Sequence, residues 1–432
     1  MPNQGDGPRA GRAVAGARWA LGLLLAINLF NYIDRYVLAS VLPKLREEFF
    51  PTGATNVDAK LGFLAQAFLV SYLVTAPIFG WLADRWSRWL IVGGGVIAWS
   101  LASGASGLAT TYMVLLFTRM FVGIGEAAYG PVAPTIISEY YPVERRGRVL
   151  AWFYLAMPVG SALGYTFGGV MAQHWSWRWA FYLSLPPGVL LGLWALFMRE
   201  PKKAARTAAN GTVARSANWN DYKAILATPS FLYNTIGMTL MTFAVGGMAY
   251  WMPTYVHTFR KGGDLDHVGF VFGALTAVAG LISTLMGGWA GDKLRSRYPG
   301  SYFLVSGWGM IVALPFFVAA LFVPFPAAWF FIFVTEFCVF FNTGPSNTIL
   351  ANVTQPAVRA SAFALNIFII HALGDVISPP LIGWISDMTG GNMNAGFGAV
   401  SLAIFLSGVF WLLGSKHLAR DTARVSAGEL SQ

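Results

Sequence analysis

Seven ionisable residues lie inside long apolar stretches of this 432-residue chain, where they can exchange a proton or bind an anion. They are Asp34, Arg35, Arg119, Glu126, Glu336, His371 and Asp375. A charged side chain at the centre of a bilayer costs about 2.5–3.5 kcal/mol or more, so such residues usually mark a pathway, a proton relay or an ion pair. Their placement predicts proton and ion chemistry inside a membrane.

The spacing of these residues limits which of them can meet. Arg119 and Glu126 share one face of a helix and are separated by about two turns. Asp34 and Arg35 are adjacent and therefore point about 100° apart. At least one of these two needs a partner from another helix.

Each residue also has a purely structural interpretation, and the sequence leaves both open. Asp34 and Glu126 are either proton carriers or buried partners in an ion pair. Arg119 either neutralises Glu126 or binds a phosphate or carboxylate group, which suits a guanidinium in a cavity. Movement of Arg35 or Arg119 would change how tightly the two acids hold a proton.

The second half of the chain carries the other three residues. His371 and Asp375 are four residues apart and can interact directly. Glu336 lies in a separate apolar stretch. The three are either substrate contacts or groups close to a membrane surface.

Transmembrane helices must position all of these side chains. Hydrophobic residues make up 56% of the chain and charged residues 11%, whereas about a quarter of a soluble domain is charged. Apolar stretches near the ~20 residues that cross a bilayer core predict twelve spans, at roughly 19–43, 61–83, 89–108, 111–138, 149–172, 178–198, 230–257, 267–291, 302–323, 326–352, 360–386 and 394–414. The first span is too long for a signal peptide, so no cleavable signal is predicted.

The basic residues predict the orientation. Most of the 29 Lys and Arg residues fall in segments that are cytoplasmic if the N-terminus is cytoplasmic. Both termini are therefore predicted to be cytoplasmic. The net charge of +10 then belongs to loops that face anionic headgroups, and no nucleic-acid partner is expected.

Part of the sequence occurs twice. Segment 80–85 (GWLADR) recurs as 288–293 (GWAGDK), and Gly-Pro at 130–131 recurs at 344–345. Two similar membrane halves that tilt against each other are the usual plan of a secondary transporter. The predicted domains are an N-terminal six-helix half, a polar cytoplasmic linker with a short helix near 219–226, a C-terminal six-helix half and a cytoplasmic tail, at 1–198, 199–229, 230–414 and 415–432.

The two halves differ in charge. By the offset between the two Gly-Pro pairs, Arg119 and Glu126 correspond to Phe333 and Phe340. A central cavity with one ionic wall and one apolar wall would suit a molecule with a charged head and a fatty tail.

Four segments carry a resemblance to known proteins. The loop 80–88, which reads G-x-x-x-D-R-x-x-R, resembles the signature loop of the major facilitator superfamily. Segment 31–36 (NYIDRY), segment 119–137 (R-x-x-x-GIGEA-x-Y, then APTII) and segment 158–165 (PVGS-x-LGY) resemble the Spinster family. The similarity is close over roughly residues 25–170 and general beyond.

This resemblance implies an all-α membrane protein of twelve helices in two pseudo-symmetric halves, working by alternating access. It also implies a carrier of amphipathic lipids such as lysophospholipids or sphingosine 1-phosphate, with proton coupling suggested for several members. The chain resembles a bacterial member, so the bacterial inner membrane is the expected location. It is expected to act as a monomer among membrane lipids.

We predict three groups of functional residues. The proton-coupling residues are Asp34 and Glu126. The substrate-binding residues are Arg35, Arg119, Tyr129, Glu336 and His371. The cytoplasmic gate comprises Asp84, Arg85 and Arg88, with Asp292 and Arg295 as their repeat.

Other functions find less support in the sequence. It contains no phosphate-binding loop, no metal-spaced His/Cys cluster and no nucleophile elbow, so neither an enzyme nor a cofactor or metal is predicted. A channel is disfavoured by two halves around a charged centre. The alternative that stays open is a superfamily transporter of a soluble organic anion or a drug.

Overall fold

The computed structural model describes residues 14, 16–200 and 218–427, and these form helices joined by turns. No strand occurs within these ranges. Most of the predicted linker and the outer ends of both tails lie outside the described residues. The predicted all-α fold is confirmed.

Eight α-helices lie in the described residues up to residue 200. They are α1 (Ala17–Phe49), α2 (Val57–Ala83), α3 (Arg88–Gly107), α4 (Tyr112–Ala127), α5 (Ala133–Tyr140), α6 (Val143–His174), α7 (Trp177–Tyr182) and α8 (Leu185–Leu196). Ten further α-helices lie within residues 218–427. They are α9 (Trp219–Ala227), α10 (Pro229–Thr254), α11 (Leu265–Leu294), α12 (Ser301–Phe322), α13 (Ala328–Phe340), α14 (Thr343–Asn352), α15 (Arg359–Ile370), α16 (Ser378–Met388), α17 (Met393–Gly414) and α18 (Leu418–Ala427).

Ten helical stretches in the described ranges are long and apolar enough to cross a membrane. The other two predicted spans, the fourth and the seventh, are also helical. The fourth is divided into α4 and α5, and the seventh corresponds to α10 and a π-helical segment at Tyr255–Phe259. Helix α4 has 16 residues and α5 has 8, so neither is long enough alone, while Asn, Thr, Tyr and Trp side chains make α10 less apolar.

Residue contacts divide the described chain into two compact units. Unit 1 contains residues 14, 16–45 and 67–200, and unit 2 contains residues 46–66 and 218–427. The C-terminal end of α1 and the first part of α2 are thus counted with unit 2.

In unit 1, small residues bring α6 against α1 beside the predicted site. A Cβ atom at Gly160 would lie 2.6 Å from Cβ of Tyr32, and one at Gly164 would lie 2.6 Å from the carbonyl oxygen of Ile33. Such close approach requires glycine, as in other membrane helix pairs. It fixes the turn of α1 that carries Asp34 and Arg35.

The same unit packs α4 closely on α3. A Cβ atom at Gly125 would lie 2.6 Å from the backbone nitrogen of Trp99. The Trp99 side chain is buried and packs edge-on against Tyr129, with ring centroids 5.8 Å apart. This contact sets the position of Glu126, the next residue on α4.

In unit 2, buried polar side chains join the helices. The Trp411 indole donates a hydrogen bond of 3.0 Å to Asn234 Oδ1, and Asn234 Nδ2 donates to the carbonyl oxygen of Ser346 at 3.0 Å. Thr235 donates to Asn366 Oδ1 at 2.8 Å. These bonds connect α10 to α14, α15 and α17.

Residues 46–66 are held in unit 2 by a second polar cluster. The carboxylate of Asp387, on α16, accepts hydrogen bonds from the backbone nitrogens of Asp58 and Ala59 at 3.1 and 2.8 Å. It therefore caps the first turn of α2, whose amides lack partners within their own helix. Asp58 in turn pairs with Arg46 and accepts a hydrogen bond of 2.9 Å from Ser386.

Two short helices flank the long helices of unit 2. Helix α9 begins with a capping box between Asn218 and Asp221, and it corresponds to the short helix predicted near residues 219–226. Helix α18 follows α17 and docks through Asp421, which accepts a hydrogen bond of 2.9 Å from the backbone nitrogen of Ser230.

Candidate functional site

Arg35 on α1 and Glu126 on α4 form an ion pair in unit 1. The distance from Arg35 Nη2 to Glu126 Oε2 is 2.7 Å, and the Glu126 side chain is fully buried while 29% of the Arg35 side chain is exposed. The rings of Tyr32, Phe68 and Tyr72 lie 5.4, 4.9 and 5.8 Å from the guanidinium carbon. Aromatic faces at these distances attract a cation, so the guanidinium is held by one acid and three rings.

Asp34 points to a different set of partners, as its spacing from Arg35 predicts. It is 3% exposed and accepts hydrogen bonds from the hydroxyls of Ser103 and Ser184, the latter at 3.3 Å. Its second carboxylate oxygen has no hydrogen-bond partner among the described residues. Helix α3 and the turn before α8 therefore supply hydroxyls to one oxygen of this carboxylate.

Arg119 lies two turns before Glu126 on α4 and is 2% exposed. Its Nη2 donates a hydrogen bond of 2.5 Å to Ser106 Oγ, and its guanidinium carbon lies 5.0 Å from the centroid of the Phe181 ring. Glu126 forms its ion pair with Arg35. The neutralising role predicted for Arg119 toward Glu126 is filled here by Arg35.

Tyr129 is buried in the core of unit 1. Its hydroxyl donates a hydrogen bond of 2.7 Å to the carbonyl oxygen of Leu24 on α1. The side chain is 2% exposed. In this structure Tyr129 fastens the end of α4 to α1, next to Glu126.

The predicted site residues of unit 2 lie on two different segments. Glu336 on α13 is 4% exposed, and its Oε1 lies at a hydrogen-bond distance of 2.9 Å from Thr276 Oγ1 on α11. His371 lies on a π-helical segment, and its Nδ1 is 2.8 Å from Asp375 Oδ2. The predicted direct interaction between His371 and Asp375 is confirmed.

The predicted gate residues of unit 1 occupy two environments. Asp84 and Arg85 are exposed, and the Arg85 guanidinium carbon lies 3.9 Å from the centroid of the Trp81 ring. Arg88 is buried and pairs with two acids of the same unit, Glu139 and Glu200. The distance from Arg88 Nε to Glu200 Oε1 is 2.6 Å.

The repeat of this loop in unit 2 is built differently. Asp292 and Arg295 are both exposed. Tyr302 donates a hydrogen bond of 2.7 Å to Asp292 Oδ1 and accepts one of 3.4 Å from Arg295. The Tyr302 hydroxyl thus links Asp292 to Arg295 through two hydrogen bonds.

Sequence reasoning missed the hydroxyl and aromatic partners of the charged residues. Ser103 and Ser106 bond to Asp34 and Arg119. The two serines are three residues apart on α3 and so share one face. Their spacing within an apolar span was the available signal, since polar side chains there usually face the bundle interior.

This arrangement in unit 1 is chemically suited to exchange protons and to bind an anion. Two acids are buried in this unit, Arg35 is paired with one of them, and the guanidinium of Arg119 is buried on the same helix as Glu126. A guanidinium offers bidentate hydrogen bonds to a phosphate or a carboxylate.

Comparison with known proteins places the chain in a family. The model of the Major Facilitator Superfamily matches residues 24–379. Protein spinster homolog 3 of Danio rerio is 35% identical over 385 residues, which cover 85% of this chain and 76% of that protein. Protein spinster homolog 1 of Homo sapiens is 35% identical over 389 residues, which cover 85% of this chain and 72% of that protein.

Two solved structures share the fold. The crystal structure of a bacterial homolog to the human lysosomal transporter Spinster, inward-facing and unoccupied, matches with a TM-score of 0.79 at 21% identity, over 96% of this chain and 99% of that one. A D-xylose-proton symporter matches with a TM-score of 0.71 at 17% identity, over 91% of this chain and 96% of that one. The predicted fold of twelve transmembrane helices in two six-helix halves is confirmed.

Proteins of this family are transporters and not enzymes, and the family resemblance in the sequence is confirmed over most of the chain. The chain is therefore an integral membrane transporter that belongs to the Spinster family of the major facilitator superfamily.

Proposed function

We propose that this transporter is a proton-coupled secondary carrier that moves an amphipathic anionic or zwitterionic lipid by alternating access. The observation that carries the proposal is the Arg35–Glu126 ion pair, whose acid is buried and whose base is partly accessible. Such a pair can be broken by a proton that binds the acid or by an anion that binds the arginine.

The coupling follows from competition for Arg35. An ionised Glu126 forms an ion pair with the Arg35 guanidinium, whereas a protonated Glu126 is neutral and cannot. Arg35 can then form a bidentate pair with the phosphate of a lipid headgroup. Proton binding and headgroup binding thereby favour each other, which is the requirement for coupled transport.

Asp34 is the second proposed proton carrier. Its two hydroxyl partners, Ser103 and Ser184, can each donate to a carboxylate or accept from a carboxylic acid. The site therefore accommodates both protonation states without a change of partners. Arg119, bonded to Ser106 nearby on α3, supplies a second cation for the headgroup.

The lipid assignment rests on the family resemblance and on the aromatic character of α13. Phe333 and Phe337 have ring centroids 6.2 Å apart, and Phe337 and Phe341 have centroids 5.9 Å apart. This row of rings is suited to an acyl chain, whereas the charged residues of unit 1 are suited to a headgroup.

The proposal extends to orientation and gating. We propose that both termini lie in the cytoplasm, because the basic residues are concentrated in the loops of that side. The bacterial inner membrane is proposed from the resemblance to a bacterial member of the family. Asp84, Arg85 and Arg88 with Asp292 and Arg295 are proposed as cytoplasmic gate residues, because their loops carry the superfamily repeat.

Transport by purified protein in liposomes tests the proposal. Uptake of a lysophospholipid and of small organic anions is measured with and without a pH gradient. We expect gradient-driven uptake of the lipid, and its loss in Asp34→Asn, since asparagine keeps the hydrogen bonds but cannot ionise. The matched control is Asp264→Asn, at an exposed acid that makes no side-chain cap bond.

Two results would contradict the proposal separately. Uptake that ignores the pH gradient would overturn proton coupling. Uptake of a small anion in the absence of any lipid uptake would overturn the lipid assignment and favour the soluble-anion alternative.

A further inference from the structure

Glu336 is an acid in the interior of unit 2 that lies within hydrogen-bond distance of Thr276. Its side chain on α13 is 4% exposed. Oε1 lies 2.9 Å from Thr276 Oγ1 on α11, and Oε2 is buried without a hydrogen-bond partner among the described residues. An ionised carboxylate in such a place would be very costly, because neither oxygen receives a charged donor.

The helices packed against α13 offer no counter-charge near Glu336. Helices α11 and α12 are its neighbours. The charged or titratable residues of α11 lie at its two ends and are Asp266, His267, Asp292 and Lys293. Helix α12 contributes Tyr302, and α13 contributes Cys338 besides Glu336 itself. Thr276 is separated from the nearer end group, His267, by more than two helical turns. Within the described residues Glu336 forms no ion pair.

The single hydroxyl hydrogen of Thr276 sets the direction of its bond to Glu336. Thr276 Oγ1 lies 2.9 Å from the carbonyl oxygen of Phe272 and 2.9 Å from Glu336 Oε1. A threonine hydroxyl has one hydrogen to donate and two lone pairs to accept with. If Glu336 were ionised, both neighbours would be acceptors, and one of the two contacts would lack a hydrogen.

We infer that Glu336 is a proton-binding site in which the carboxylic acid donates through Oε1 to Thr276 Oγ1, while Thr276 donates to the carbonyl oxygen of Phe272. The proton comes from water, and both short contacts then contain a hydrogen. Oε2 is left as a neutral carbonyl oxygen, which is far less costly to bury unpaired than a charge. This assigns Glu336 a different role from the substrate contact that the sequence suggested.

The site has a consequence for the transport cycle, which rests on the proposed proton coupling. Loss of the proton would leave an unpaired charge in an apolar interior, so Glu336 releases its proton only when water or a cation reaches it. That access requires α11 and α13 to separate at Thr276. Release of the Glu336 proton would thus accompany an opening of unit 2, independently of the protonation of Asp34 and Glu126.

Infrared difference spectroscopy of the full chain in lipid nanodiscs tests proton occupancy. At neutral pH we expect a carbonyl-stretch band of a protonated carboxylic acid that Glu336→Gln lacks. Glu48→Gln is the matched control, because Glu48 is exposed, and it should leave the band unchanged. Identical wild-type and Glu336→Gln spectra in this region, at neutral and at acid pH, would overturn the inference.

If Glu336→Gln does not fold, two substitutions of Thr276 test the same hydrogen bond through the position of the infrared band. Thr276→Val removes the hydroxyl and should shift the band, whereas Thr276→Ser keeps the hydroxyl and should leave the band in place. A band that neither substitution moves would contradict the assignment. Transport separates this inference from the proposed function: wild-type uptake without any pH dependence would overturn the coupling, while the infrared band would still decide the protonation of Glu336.

Discussion

Arg35 and Glu126 join α1 to α4 through an ion pair of 2.7 Å in which only the arginine is accessible. The acid has no exposed surface, and 29% of the arginine side chain is exposed. Breaking a buried pair by removing one partner normally costs several kcal/mol, because a charge is left alone. Here a competing anion can approach the arginine, and a proton can neutralise the acid.

Glu126→Gln is expected to make binding of an anionic lipid independent of pH. Glutamine has no charge, so Arg35 is free for the headgroup at every pH. Near neutral pH we expect affinity to rise about tenfold, equivalent to about 1.4 kcal/mol, and pH-driven accumulation to be lost. Binding of a lysophospholipid measured over a pH series provides the check.

Glu47→Gln is the control for this experiment, because it removes an exposed acid of the same type. The pH profile of this control should equal that of the wild type. If Glu126→Gln retains the wild-type profile, Glu126 does not couple protons to binding.

Arg119→Lys is expected to lose most transport of a phosphate-headed lipid although the charge is kept. A lysine cannot form the bidentate pair, and it cannot place a guanidinium over the Phe181 ring, whose centroid lies 5.0 Å from the Arg119 guanidinium carbon. Arg119→Ala should lose all transport. Initial uptake rates at saturating and subsaturating lipid give the comparison.

The double substitution Arg119→Ala with Glu126→Gln separates headgroup binding from charge neutralisation. Because Glu126 pairs with Arg35, we expect no recovery of lipid binding beyond that of Arg119→Ala. Recovered affinity in the double variant would mean that Arg119 does not hold the headgroup.

Arg88→Ala is expected to destabilise unit 1. Arg88 is 4% exposed and holds both Glu139 and Glu200, so its removal leaves two acids without their base. The expected cost is roughly 3 kcal/mol, seen as a lower unfolding temperature. Arg85→Ala, at the neighbouring exposed arginine, should change the unfolding temperature little. Equal effects of the two substitutions would show that burial of Arg88 does not determine stability.

Docking of α18 is expected to weaken at acid pH. Burial acts to raise the pKa of Asp421, but the hydrogen bond from the backbone of Ser230 and the charge of Arg420 outweigh it, so the pKa lies below its ordinary value. The ionised acid therefore stabilises the fold at neutral pH, and this contribution is lost as pH falls below about 4 through the pKa of the folded state. Hydrogen exchange of α18 over a pH series measures the effect.

Asp421→Ala should give α18 fast exchange already at neutral pH, at a cost of about 1 kcal/mol for the lost cap. Exchange in this variant should no longer depend on the titration of residue 421. Slow exchange of α18 in Asp421→Ala would show that other contacts hold the helix.

Helix content, the twelve spans and the repeat were predictable from the sequence. Span length and apolar composition require helices, because a backbone in lipid must satisfy its own hydrogen bonds. The interaction of His371 with Asp375 was predictable for a related reason. Residues four apart on one helix are neighbours whatever surrounds them, and their distance in the structure is 2.8 Å.

The partners of Arg35, Asp34 and Arg88 were not predictable in this way. Each partner lies on another segment: Glu126 on α4, Ser103 on α3 and Glu200 beyond α8. Helical periodicity places a side chain on a face but does not say which helix covers that face.

The sequence by itself determined that this is a transporter built from apolar helices with buried charges, because bilayer thickness and the repeated motifs act through chain-local patterns. Tertiary structure alone decided which charges meet. Close packing at Gly160 and Gly125 fixes α1 and α4 against their neighbours. The ion pair of Glu126 with Arg35 follows from this packing. That choice depends on distances between helices, which no spacing along a single helix contains.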